Sequence, residues 1–153
     1  MTTKNTEELE KILREVHPEK ASDYLSENAD AMIQSDRPFA DYMRELIKAK
    51  QLQQQDIFLK ADIPELYGYK LIGEQKRTRQ RDVILRLCYA ANLSLPETQR
   101  ALKLYGMPQL YAKITRDACL MIAFNNHPGD IHDVDAFLRE NGIEPLRSCG
   151  SQE

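Results

Sequence analysis

The side chains with the clearest capacity for chemistry are cations. Lys76, Arg77, Arg79 and Arg81 fall in one short run, and guanidinium and ammonium groups so clustered suit phosphate oxygens, which they bind by charge and by hydrogen bonding together. Lys70, Gln54 and Gln55 lie upstream and are of the types that reach guanine, adenine or phosphate in a major groove. His127, Asp130, His132, Asp133 and Asp135 are ligand-type residues, but their spacing matches no established metal pair and no Cys or distant His completes a set. They read instead as a helix cap followed by an acidic first turn. Cys88, Cys119 and Cys149 are odd in number. The first two sit in strongly apolar helical patterns without a plausible His base, as reduced core thiols of a cytoplasmic protein would. No Gly-rich phosphate loop occurs. Catalysis is not indicated, and neither a cofactor nor a metal is expected.

Charge is distributed unevenly along the 153 residues. The overall balance of −3 hides four basic and nine acidic side chains in residues 1–36, thirteen and eight in 37–103, and four and seven in 104–153. The middle segment alone is net basic. It is therefore the part suited to face an anionic polymer, while the acidic N-terminal and C-terminal helices are left for water or a protein partner. With 42% hydrophobic residues the chain can bury one substantial core, and one compact body is expected. No apolar run approaches the roughly 18 residues that a membrane span needs, and the chain opens into a charged amphipathic helix, so no membrane role and a cytoplasmic location are expected.

The elements that must position these residues are all helical, with Gly or Pro at the joints and no convincing alternation of period two. Thr6 is the candidate cap of a helix carrying Leu9, Ile12, Leu13 and Val16 on one face. A shorter helix from about Pro18 to Asn28 follows, with Ala21, Tyr24 and Leu25 inward, and then a weak turn with Met32 and Ile33. Pro38 suits the first position of a helix reaching about Lys50. Two short helices follow: one over Leu52–Phe58, and one over Pro64–Leu71 beyond the turn Asp62-Ile63-Pro64. Helices over Asp82–Ala91 and Pro96–Tyr105 are joined by Asn92, suited to a left-handed cap, and Ser94, suited to an N-cap. Gly106-Met107-Pro108 breaks the chain. A last pair spans about Thr115–Asn125 and Ile131–Glu140, with Gly142 ending it. The organisation is thus an N-terminal helical segment (1–36), a central domain (37–106), a C-terminal helical pair on the same core (107–146), and a polar, frayed tail (147–153).

Two short helices around a tight turn, followed by a basic run, form the pattern of a helix-turn-helix. The segment from Phe39 to Leu102 resembles the Cro/cI-type (XRE) family of lambda-repressor-like DNA-binding domains. Tyr67-Gly68-Tyr69, Arg81-Asp82, Leu93-Ser94-Leu95-Pro96-Glu97-Thr98, Leu110-Tyr111 and Thr115-Arg116-Asp117-Ala118 narrow the likeness to a bacterial subfamily with a C-terminal helical extension. The resemblance implies an all-α bundle and a transcriptional regulator that binds double-stranded DNA, as a homodimer because one module reads one half-site. It places Glu65, Leu66, Tyr67, Tyr69 and Lys70 on the recognition helix, Gln54 and Gln55 at the start of the helix before it, and Lys76, Arg77, Arg79 and Arg81 along the sugar-phosphate rail.

Several departures from that pattern have physical content. Phe58 stands where the family carries a small Ala, and Gly68 where it carries Ile or Val. The two positions face each other across the helix crossing, so the exchange is compensating: a large ring needs an empty site opposite. The alternative is that Gly68 breaks the helix and leaves Tyr67 and Tyr69 in a loop. Asp62 replaces the usual turn glycine, a substitution Asp tolerates better than most residues. Pro64 removes a polar cap, and Glu65 and Leu66 leave only a cytosine amino group or a thymine methyl as partners, so a protein-interaction module on the same scaffold is the competing expectation.

Overall fold

In the computed structural model, residues 4–33 and 36–149 are described, and every regular element among them is helical. The chain divides into two compact units, residues 1–36 and 37–153, rather than forming the single body expected.

The first unit contains α1 (Thr6–Leu13), a 3₁₀ turn over Pro18–Lys20, α2 (Ala21–Glu27) and a second 3₁₀ turn over Ala29–Ala31. Asn5, not Thr6, caps α1, its side chain accepting from the Glu8 amide at 2.9 Å. No residue of α1 is buried: Ile12 and Leu13 are exposed, as is Leu25 of α2, and among the described residues of this unit only Tyr24 and Asn28 are buried. Asn28 links its elements, accepting from Lys4 Nζ at 2.6 Å and donating to the Tyr24 carbonyl at 2.9 Å.

The second unit runs through α3 (Pro38–Ala49), α4 (Gln54–Ala61), α5 (Glu65–Ile72), α6 (Arg81–Ala90), α7 (Leu95–Tyr105), α8 (Thr115–Asn126) and α9 (Ile131–Glu140). Its centre is α6, buried along almost its whole length from Asp82 to Tyr89. One continuous core joins Phe39, Met43 and Ile47 of α3, Ile57 and Phe58 of α4 and Leu71 of α5 to that helix. The same core takes in Leu102 of α7, Leu120 of α8, Leu138 of α9, and Leu146 beyond α9. Burying such residues is the main favourable term in folding.

The joints share one device. After α3, α4, α5, α6, α7 and α9, a residue in the left-handed region turns the chain: Gln51, Asp62, Glu74, Asn92, Gly106 and Gly142. In each case the next amide closes a 6→1 bond to a carbonyl in the last turn, as Ile63 does to Phe58 at 3.0 Å and Leu93 to Cys88 at 3.0 Å. These are Schellman closures. Ser94 and Glu97 form a reciprocal capping box at the start of α7, as Asp130 and Asp133 do at the start of α9.

The segment after α9 is not frayed where it is described. The Arg147 amide donates to Asp82 at 2.8 Å, and the Arg147 and Leu146 carbonyls accept from Arg86 at 2.7 and 2.8 Å. Residues 150–153 of the expected tail lie outside the described residues.

Candidate nucleic-acid interface

The turn between α4 and α5 is made by Asp62 at φ 57°, with Ile63 buried beneath it and Pro64 capping α5. The two helices interlock where Gly68 meets Phe58. A methyl group built at Gly68 would stand 2.6 Å from Phe58 Cγ and 2.7 Å from Cε1, well inside carbon–carbon contact. Gly68 lies within α5 and is buried, so it does not break the helix, and Tyr67 and Tyr69 are helical. Tyr69 also packs edge-on with Phe58, its ring centroid 4.9 Å from that of Phe58.

The outward positions of this pair carry the residues expected from the sequence, with mixed chemistry. Gln55, Glu65, Leu66 and Tyr69 are exposed, and Gln54, Tyr67 and Lys70 are half-buried. Lys76 is exposed, its ammonium 6.0 Å from the Tyr67 ring centre, and Arg79 is exposed. Leu59, absent from the sequence expectation, is 81% exposed and Leu66 is 69% exposed. Leu59 falls off the stripe of Ile57, Phe58 and Ala61 that α4 buries, and that displacement was the available signal. Leu59, Phe58, Ile63, Pro64 and Tyr67, with Asp62, Ser148 and Cys149, line a largely apolar groove of about 640 Å³.

The basic run does not act as a unit. Arg77 donates to Glu74 at 2.7 Å and to the Tyr105 carbonyl at the end of α7, with its guanidinium 4.0 Å from the Tyr105 ring centre. Glu74, itself nearly buried, also accepts from the Ala40 amide at 3.0 Å and so caps α3. The loop that was expected to lie along a phosphate rail is thus stitched into the fold at Glu74 and Arg77, and again at Thr78, whose amide donates to the Tyr105 hydroxyl at 2.7 Å. Arg81 is half-buried and forked onto Asp117, at 2.5 and 3.2 Å. Lys76 and Arg79 are left as the outward cations of the run, together with Lys70 on α5.

Arg81 belongs to a crossed pair that sequence reading missed. The dipeptides Arg81-Asp82 and Arg116-Asp117 stand in the first turns of α6 and α8, and each arginine takes the other's aspartate. Arg116 grips Asp82 at 2.8 and 2.9 Å while Arg81 grips Asp117. Burial alone would raise the Asp82 pKa, yet the Arg116 fork, the Arg147 amide and nearby Arg81 outweigh it and hold the carboxyl below its ordinary range. Asp82 in turn raises Arg116. A third arginine, Arg86, is buried; it satisfies the carbonyls of Ala61, Leu146 and Arg147 and lies 3.7 Å from Asp135. These contacts bind the C-terminal helices to the helix behind the α4–α5 pair.

The ligand-type cluster near α9 has a structural use. Asp130 and Asp133 form the capping box, and His127 stacks on Tyr89 at 4.7 Å with Nε2 3.1 Å from the Leu93 carbonyl. Among the described residues no three His, Cys, Asp or Glu side chains are grouped to hold a metal ion, and no helix is long and apolar enough to cross a membrane. Cys88 is buried, which pushes its thiol up to about 12. No family model, no curated protein and no solved structure matches the chain.

Proposed function

We propose that residues 37–106 form a helix-turn-helix of the lambda-repressor-like type and that the protein is a regulator binding duplex DNA as a homodimer. The observation that carries this reading is the α4–turn–α5 unit: the Phe58–Gly68 interlock fixes the crossing, and Lys76 and Arg79 stand exposed just after it. In this arrangement α5 enters the major groove. Lys70 reaches a guanine edge, Leu66 a thymine methyl, Glu65 a cytosine amino group, and the hydroxyls of Tyr67 and Tyr69 the backbone. Gln54, Gln55, Lys76 and Arg79 serve phosphates, whereas Arg77 and Arg81, paired with Glu74 and Asp117, make no direct contact.

Fluorescence anisotropy on random duplex, titrated with salt, tests the reading. Binding at about 50 mM salt should fall steeply as salt rises, and the Lys76→Gln, Arg79→Gln double variant should reduce the slope by roughly two counterions. Arg77→Gln should instead lower the melting temperature and leave the slope nearly unchanged. A folded sample without detectable binding at about 50 mM salt removes the DNA reading.

A second reading is favoured by the exposure of Leu59 and Leu66 and by the apolar groove beside them. In it the same face docks an apolar segment of another protein. Leu59→Ser with Leu66→Ser separates the two: a docking surface is lost, whereas salt-dependent duplex binding survives.

A further inference from the structure

Where the loop before α6, the start of α8 and the segment after α9 converge, a cavity of about 330 Å³ is lined by four arginines, Arg79, Arg81, Arg116 and Arg147, with Asp82 and Glu144 between them. The arginines divide by commitment. Arg81 and Arg116 are neutralised by the crossed aspartates, and Asp82 has both oxygens occupied by Arg116 and the Arg147 amide. The guanidinium groups of Arg79 and Arg147 carry no hydrogen bond or ion pair among the described residues. Glu144 is the one lining carboxylate not engaged by the crossed pairs.

The two uncommitted arginines are not on slack backbone. Arg147 is held at its amide by Asp82 and at its carbonyl by Arg86. Arg79 lies between Thr78, whose amide is bonded to the Tyr105 hydroxyl, and Gln80, whose amide is bonded to Thr78 Oγ1 at 3.0 Å. Two exposed arginines held at their backbones thus line one cavity whose other cations are already paired. Four arginines set against Asp82, Glu144 and the Asp117 that Arg81 holds leave the lining net positive, which favours an anion there.

We propose that this cavity binds a phosphate monoester dianion carried by a small molecule, with Arg79 and Arg147 as its forked ligands. A carboxylate has two oxygens and is satisfied by a single fork; a tetrahedral dianion offers separate oxygen pairs to two. The volume lies at the low end for small-molecule sites and exceeds what a bare phosphate fills, which leaves room for a small organic group. Glu144 opposes the anion and sets the affinity from the other side. The site does not depend on duplex binding, although it shares Arg79 with the proposed interface, so ligand and duplex compete for that residue if both bind.

The test titrates full-length protein with inorganic phosphate near pH 8, at ionic strength held constant with chloride, and follows backbone amide shifts. Expected is one saturable site in the range of about 1 mM or tighter, with shifts confined to residues 79–82, 116 and 147. Arg147→Gln should weaken it about tenfold or more, as loss of a charged hydrogen bond does. Glu144→Gln should tighten it several-fold, a gain that misfolding cannot mimic, and Lys103→Gln, an exposed α7 change outside the cavity, should leave it unchanged. Absence of saturation, or equal weakening by Lys103→Gln and Arg147→Gln, overturns the site. Dimethyl phosphate is the second probe: a diester bound as well as inorganic phosphate points to a polymer backbone and overturns the dianion assignment. A variant that loses duplex binding but keeps the phosphate titration removes only the interface.

Discussion

At the scale of single residues the most constrained position is Gly68. An interior helical glycine costs roughly 0.5–1 kcal/mol relative to Ala, and here the Phe58 ring occupies the space a side chain would need. Gly68→Ile should therefore destabilise the protein by about 1–3 kcal/mol through overpacking, and Phe58→Ala by about 3–5 kcal/mol through the cavity it leaves. Together they should cost clearly less than their sum, because the new side chain fills the vacated site; strictly additive denaturant melts would show that the two positions do not touch. Asp82 offers a second residue-scale test. Its carboxyl is held below the ordinary range in the folded state, so its stabilising contribution is complete above the unfolded pKa and fades as pH falls through the folded one. Asp82→Asn should cost about 2–4 kcal/mol near neutral pH by stranding Arg116. The variant's stability curve should also be flatter than wild type below about pH 4, where wild type loses the pair. Parallel curves across the acid limb would show that Arg116 does not control this carboxyl.

At the scale of elements, the existence of the helices from α3 onward was legible because their apolar stripes repeat at helical spacing. Pro38, Ser94 and Gly106 stand in the sequence as local stop and start signals. The Phe58–Gly68 crossing was legible too, since a large and an absent side chain at facing positions only make sense together. What stayed hidden were joints that use Gln51 and Glu74 in the left-handed region, since neither residue advertises that conformation. A subtler signal was present: the residue after each left-handed position is often apolar, as Leu52, Ile63, Leu93, Met107 and Ile143 are, because the Schellman closure packs it against the preceding turn. Gln51→Gly should stabilise the protein by roughly 0.5–1 kcal/mol, since it relieves backbone strain at a position whose side chain is exposed. A loss on thermal melting would mean that the Gln51 side chain makes a contact worth more than the strain. The basic run was only partly legible for a related reason. Sequence shows charge but not commitment, and Arg77 and Arg81 are spent on partners at Tyr105 and Asp117, distant along the chain. Pairing between Arg81-Asp82 and Arg116-Asp117 is a long-range choice that no local spacing encodes.

At the scale of the whole molecule, charge and core are segregated. Residues 1–36 carry nine acidic and four basic side chains, whereas the large core lies in the unit that begins at Arg37. No residue of α1 is buried, so amphipathic pattern alone overstated how much of the chain would share one core. The acidic block lowers the net charge of a protein whose proposed partner is a polyanion, and its effect on association should be a field effect that salt screens. Glu7, Glu10, Glu15, Glu19 and Glu27 are all exposed, and replacing them with Gln raises the net charge from −3 to about +2 without removing a core side chain. Duplex affinity of the full-length variant should rise several-fold at about 50 mM salt, with the gap to wild type closing by about 0.5 M as the screening length shrinks to a few ångströms. An unchanged affinity at low salt would mean that the acidic block is too far from bound DNA to act on it. A decrease would mean that these carboxylates support the folded or assembled state, and melting curves with elution mass on the same samples would distinguish that from a change in the field.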